Sequence, residues 1–329
     1  MKILIIKLGA LGDVLRTIPI AEALKKKYPN SEITWITKKN ALELFEGNKN
    51  IDYYFALPYE SDKKFDLLYN FDIEKEATEL ASKVDADKKY GFSSEGDYPS
   101  AFNLGAEYYL NTLFDDEIKK TNMKTYQEMM FGAAELVYNK EMPQIYLSNK
   151  EIDYAEEFIK NNHLGKKEII GIHMGAGPRW PSKAWSEERI KEFIKKAKDE
   201  GYDLVLFAGP EEKDKIKKLS SDLDKIGLSV STNNPLNTVK EFSALVSKCN
   251  HIVCSDSFSL HISLAMKKPT IGLFFCTTPH EVEGYGLLKK IVSPLFDNFF
   301  PQKQDQFDEG LINSISSTEV LDAISNKNK

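Results

Sequence analysis

The chain has 329 residues, too many for one ordinary core and suited to two domains of about 150 residues each. Hydrophobic residues make up 42% and charged residues 29%, a balance that excludes a disordered chain. A formal net charge of −6 argues against a nucleic-acid binder and leaves room only for local basic pockets. The opening apolar stretch is too short for a signal-peptide core, and no run approaches the roughly 20 apolar residues of a membrane helix. Cys249, Cys254 and Cys276 lie in or beside apolar runs without metal-ligand spacing. They read as buried structural thiols in a reducing compartment. The expectation is a cytoplasmic protein, with room for peripheral contact at the inner membrane face.

Short apolar runs alternate with amphipathic stretches along the chain, the pattern of βα units around parallel sheets. Ile3 to Leu8 does not alternate and predicts a central strand buried on both faces. A glycine turn follows, then a helix from about Val14 to Tyr28 with Pro19 near its first turn. Further strands are predicted at Ile33 to Thr37, Tyr53 to Leu57, Phe65 to Asn70 and Lys89 to Phe92. Ser93 to Thr125 shows little periodicity and precedes a helix at about Tyr126 to Val137. Residues 151–167 read as a linker region between a first domain over 1–150 and a second over 168–312.

The second series begins with a strand at Ile169 to His173 and a helix at Ser186 to Glu200. A strand at Leu204 to Ala208 and helices at Glu211 to Leu223 and Thr238 to Ser247 come next. Then follow a strand at His251 to Cys254, a helix at Phe258 to Met266, and a strand at Thr270 to Phe275. A last helix, about Thr318 to Asn326, lies in a terminal segment over 313–329. The implied architecture is α/β: two doubly wound, Rossmann-like parallel-sheet domains facing a central cleft.

Four stretches carry candidate chemistry, all at strand ends. Gly9, Ala10, Leu11 and Gly12 let backbone approach a ligand closely, and Asp13 follows them. Their spacing is not that of a dinucleotide fingerprint, which disfavours a dehydrogenase. Asp13 reads either as a helix N-cap or as a general base aimed into the cleft. Gly175, Ala176 and Gly177 form a small-residue turn after a strand, and Arg179 and Lys183 add cations. The alternatives there are a diphosphate cradle and a solvated surface loop.

Asp256, Ser257 and Ser259 open another helix and suit either capping or phosphate and ribose binding. His261 lies one turn inside that helix, as a structural residue or a site residue. Thr277 begins a further donor-rich loop, and Glu211 and Glu212 follow a fourth strand end. The ends after Ile172, Phe207, Cys254 and Phe275 should share one sheet edge, which argues for nucleotide binding by the second domain.

These residues resemble glycosyltransferase family 9, the ADP-heptose:lipopolysaccharide heptosyltransferases. The resemblance rests on Gly9 to Val14, on His173 to Ala176 with Trp180 to Trp185, on Ser255 to Ser257 through His261, and on Thr277 through Gly286. It implies a GT-B fold, with an ADP-linked donor in the second domain and the acceptor in the first. It also implies inverting, metal-independent transfer without a cofactor, to a lipopolysaccharide core or another cell-surface glycan or glycolipid. In that pattern Asp13 matches the base, Lys183 the phosphate-contacting lysine, and Asp256 with Ser257 the donor-binding pair. Glu211 or Glu212 matches the acidic residue on the ribose, and residues beyond 312 are expected to return to the first domain. Phe258 departs from the pattern, placing a ring where a glycine normally admits the donor. Residues 58 to 125 show no basic cluster for a phosphorylated acceptor.

The mechanism this implies is a single displacement, with Asp13 taking the acceptor proton while Lys183 and nearby amides stabilise the leaving diphosphate. A nucleotide-sugar epimerase or hydrolase, or an inactive nucleotide-sugar-binding protein, are the competing readings.

Overall fold

The computed structural model describes residues 1–177 and 179–325 of the chain. Its first unit comprises Met1–Tyr146 with His280–Glu283, and its second comprises Leu147–Pro279 with the chain from Gly284 onward. No helix among the described residues is long and apolar enough to cross a membrane.

In the first unit the apolar run Lys2–Ile6 forms β1, whose last four residues are all buried. Helices Leu11–Thr17 (α1) and Pro19–Lys27 (α2) lead to β2 (Glu32–Thr37) and β3 (Tyr53–Ala56). Next come β4 (Phe65–Asn70), α3 (Lys75–Lys83), β5 (Ala86–Glu95) and β6 (Tyr98–Ala101). Helices α4 (Leu104–Phe114), α5 (Asp116–Thr121) and α6 (Tyr126–Ala133) complete the unit. Strand order is β3-β2-β1-β4-β5-β6. All neighbours are parallel except β5 and β6. Ile3 pairs with Ile33 on one side and Leu67 on the other, so β1 is central and its lack of alternation follows. One sheet face packs Leu4, Ile6 and Leu68 against Ala77 and Ala81 of α3.

The second unit starts with α7 (Asn149–Asn161) and β7 (Ile169–His173). It continues through α8 (Glu187–Asp199), β8 (Asp203–Phe207), α9 (Lys213–Lys225) and β9 (Ser231–Thr232). Then come α10 (Val239–Lys248), β10 (His251–Ser255), α11 (Phe258–Ala265), β11 (Thr270–Phe274) and β12 (Leu288–Val292). Helices α12 (Glu309–Asn313) and α13 (Ser317–Ser325) end it. The six strands run parallel in the order β12-β11-β10-β7-β8-β9. Each unit is therefore doubly wound, and strand order reverses between β1 and β4 in one and between β7 and β10 in the other.

Several expectations are corrected here. The single helix over 14–28 is two, because Pro19 has no N–H to continue the first ladder and instead opens α2 at its first position. The aperiodic stretch 93–125 is ordered. β5 extends to Glu95, a hairpin turns through Gly96 at φ +61°, and α4 and α5 follow. α4 escapes detection because it buries only Ala106, Leu110 and Thr112, too few for an apolar stripe. The edge strand β12 hides because Lys289 and Lys290 interrupt its apolar residues.

The 151–167 linker is also corrected. α7 lies in the second unit, where Asn237 Nδ2 donates to Tyr154 Oη at 2.7 Å and Lys248 pairs with Glu156 at 3.0 Å. The described part of the segment over 313–329 belongs to the second unit. Val320, Leu321 and Ile324 of α13 pack with Ile190, Phe193 and Ile194 of α8. Trp185 Nε1 donates to the Ile315 carbonyl at 3.0 Å. The amphipathic face of α8 supplies the burial that holds α13 there. The predicted helix end at Asn326 lies outside the described residues. The segment that joins the first unit is His280–Glu283, whose Glu281 carbonyl accepts from the Tyr126 N–H at 2.9 Å.

Candidate active site

In open parallel sheets, ligands bind beyond the carboxyl ends of the strands where strand order reverses. At that point of the first unit, β1 delivers the turn from Lys7 to Gly12 and β4 delivers Asp72. Both Lys7 and Asp72 are buried, and Lys7 Nζ lies 3.2 Å from Asp72 Oδ2. The same oxygen accepts from the N–H groups of Leu8 at 3.0 Å and Gly9 at 3.2 Å. Burial alone would lower the Lys7 pKa, but the carboxylates of Asp72 and then Asp13 outweigh it and hold the ammonium above its ordinary range.

Asp13 is not an N-cap. Ala10 occupies that position, and Asp13 sits in the first turn of α1 with its own N–H donating to the Ala10 carbonyl at 2.9 Å. Its carboxylate pairs with Arg16 Nη2 at 2.5 Å. The Arg16 guanidinium lies 4.0 Å from the centre of the Tyr126 ring, and Thr17 Oγ1 lies 3.3 Å from Tyr126 Oη. Burial pushes the hydroxyls of Tyr109 and Tyr126 well above their ordinary range, and Asp13 adds to the shift in both. Beside this cluster Lys38 pairs with Glu74 at 2.5 Å. Sequence reasoning does not single out Lys7, Arg16, Asp72 or Tyr126 as site residues. The available signal is Asn70 and Asp72, two polar residues flanking Phe71 where an apolar strand ends.

In the second unit the four expected strand ends do share one edge, because β7, β8, β10 and β11 are parallel. At the reversal point Lys183 Nζ lies 3.1 Å from Asp256 Oδ2, with both side chains 15% exposed. Ser257 caps α11 in extended conformation, and its Oγ is 2.7 Å from that of Ser259. His261 is buried within the same helix. Thr277, in the loop after β11, is buried and its Oγ1 has no hydrogen-bond partner within the protein. Such a hydroxyl invites a ligand oxygen.

At Gly175 the turn after β7 comes close to Glu212. A Cβ there would stand 2.3 Å from the Glu212 carboxylate, whose Oε2 accepts from the Gly209 N–H at 3.0 Å. The Gly175 N–H donates to His173 Nδ1 at 3.2 Å, and burial holds this imidazole below its ordinary value of 6.5 although Glu212 opposes the shift. Of the two adjacent acids, Glu212 turns toward Gly175 and Glu211 is exposed. Ala176 and Gly177 continue the turn, Gly177 at φ +73°. Arg179 is exposed, its guanidinium 4.8 Å from the Trp180 ring centre. Ser182 fastens the segment before Lys183, donating to the Gln306 carbonyl at 2.9 Å and accepting from the Asp308 N–H at 2.8 Å. Among the described residues no three His, Cys, Asp or Glu side chains gather as a metal-holding group.

The sequence profile of glycosyltransferase family 9 (heptosyltransferase) matches residues 61–307. This chain belongs to glycosyltransferase family 9. The lipopolysaccharide core heptosyltransferase OpsX of Haemophilus influenzae is 22% identical over 315 residues, covering 89% of this chain and 84% of that protein. Among solved structures, a family 9 glycosyltransferase from Veillonella parvula superposes with a TM-score of 0.78 at 18% identity, covering 98% and 96% of the two chains. The ADP-heptose lipopolysaccharide heptosyltransferase II of Escherichia coli gives 0.67 at 17% identity over 99% and 98%. The family 9 chain is thus a glycosyltransferase, and its two parallel-sheet α/β units are those of a GT-B enzyme.

Proposed function

We propose that this enzyme transfers a heptose from ADP-heptose to a hydroxyl of a lipopolysaccharide core, with inversion and without metal or cofactor. The observation that carries the reading is the Lys183–Asp256 pair at the strand reversal of the second sheet, with the unpartnered Thr277 hydroxyl on the same sheet edge after β11. A cation, a buried hydroxyl and the amides at the start of α11 are the groups a leaving diphosphate requires. The Escherichia coli neighbour is an ADP-heptose heptosyltransferase, which supports the donor, and OpsX is a lipopolysaccharide core heptosyltransferase, which supports the acceptor class.

In this reading the second unit binds the donor. Lys183, Thr277 and Ser257, together with the amides from Gly175 to Gly177, take the diphosphate, and Glu212 is the acid placed for the ribose. The first unit binds the acceptor, and Asp13 removes its proton as the hydroxyl oxygen bonds to the anomeric carbon. The bond from that carbon to the diphosphate oxygen breaks, and ADP leaves with the electron pair. Three free, buried cysteines suit a cytoplasmic setting, where the nucleotide sugar is available.

The test is mass-spectrometric detection of ADP and heptosylated product from ADP-heptose and heptose-free lipopolysaccharide, with EDTA present. Asp13→Asn should abolish transfer while leaving nucleotide affinity nearly intact, and full activity in that variant removes Asp13 as base. ADP release without acceptor would indicate a hydrolase or epimerase. Donor binding with no turnover on any acceptor would indicate a binding protein.

A further inference from the structure

The Lys7–Asp72 pair is enclosed to a degree that packing alone does not require. The two residues are 6% and 3% exposed. Asp72 Oδ1 accepts from the Glu74 N–H at 3.0 Å, while Oδ2 takes Lys7 Nζ and the N–H groups of Leu8 and Gly9. The Asp72 main chain is itself held by Asn70. The Asp72 N–H donates to Asn70 Oδ1 at 3.1 Å, and Asn70 Nδ2 donates to the carbonyls of Asp72 at 2.9 Å and Phe92 at 2.8 Å. A buried ion pair is often no more stabilising than apolar residues of the same volume, so its presence asks for another reason. Here every donor that Oδ2 receives comes from the three residues that open the turn into Asp13.

We infer that Lys7 and Asp72 are positioning residues for Asp13: Asp72 clamps the turn that delivers the carboxylate, and Lys7 keeps that carboxylate ionised. The inference rests on the reading of Asp13 as base. Arg16 of its own helix pairs with Asp13, and Lys7 after β1, Tyr109 of α4 and Tyr126 of α6 each feel its charge; Asp72 from the end of β4 and Glu281 from the inserted segment act on those same neighbours. The tyrosines stay neutral, so Lys7 and Arg16 are the cations of this set, against Asp72 and Glu281. Losing Lys7 makes the ionised form of Asp13 harder to keep.

Lys7→Met tests this, since the cation is lost while Asp72 keeps the N–H groups of Leu8, Gly9 and Glu74 and the clamp stays in place. With circular dichroism unchanged and donor KM within about twofold, kcat should fall about tenfold and the acidic limb of the kcat–pH profile should rise by about one unit. A wild-type kcat and limb overturn the inference. A lower kcat with an unmoved limb also overturns it, because a merely structural pair would shrink the active fraction without moving a titration. Should Lys7→Met fail to fold, Asp72→Asn decides: an amide at 72 still accepts from Leu8 and Gly9, so the clamp is kept, and the limb should move down because Lys7 loses its screening anion; an unchanged limb overturns the inference. Asp13→Asn in the same assay separates the two ideas. If it retains transfer, the base reading has failed. If it is inactive while Lys7→Met behaves as wild type, only the positioning role has failed.

Discussion

Lys183 and Asp256 meet at 3.1 Å although 73 positions separate them in the chain, the difference between 256 and 183. One lies in the loop fastened by Ser182, the other at the end of β10. Their ion pair is largely shielded from water, so the lysine is held in one place before any anion arrives. Lys183→Met should lower kcat roughly 100-fold, the scale seen when one preorganised charge-stabilising donor is removed. Steady-state ADP release measures this. Activity within about threefold of wild type would remove Lys183 from the proposed mechanism.

Gly175→Ala should destabilise the second unit by about 1–3 kcal/mol, because the added methyl overlaps the Glu212 carboxylate. Urea unfolding checks the size of the loss. Gly175→Ala/Glu212→Ala removes the obstacle and should recover most of it. Absence of recovery would mean that the backbone, not the Glu212 side chain, objects to the methyl.

His173 carries a pH dependence whose sign is set by its burial. Its folded pKa lies below the ordinary 6.5, so the unfolded chain binds more protons in the interval between the two values. Stability is therefore lost as pH falls through about 6.5 and levels off below the depressed folded value. Thermal melts between about pH 7.5 and pH 5 should show a steeper decline for wild type than for His173→Gln. Parallel curves would assign the slope to other groups.

Burial pushes the thiols of Cys249 and Cys254 up to about 12 and that of Cys276 to about 11. The thiolate is the reactive form, so the native protein should label slowly with a thiol reagent and react fully once denatured. Rapid labelling of any one cysteine under native conditions would contradict this.

Much of the fold was open to reading in one dimension. Central strands such as Lys2–Ile6 and His251–Ser255 are unbroken apolar runs, and α8 and α10 carry the cap and amphipathic face that announce a helix. α4 and β12 were not legible, because one buries too little of its length and the other wears lysines on an exposed edge. The site divides in the same way. Gly175, Lys183, Asp256 and Thr277 stand out because glycine, charge and hydroxyl groups cluster directly after apolar runs.

The sequence alone determined that two parallel-sheet domains form and which turns lie at their strand ends, since hydrophobic period and turn residues are local properties. The tertiary structure decided the partners: Arg16 rather than a cap for Asp13, and Asp72 for Lys7 across a separation of 65 residues. It also decided that α13 packs on α8. Those outcomes depend on strand order and on which apolar faces bury one another, and neither is written in any short stretch of the chain.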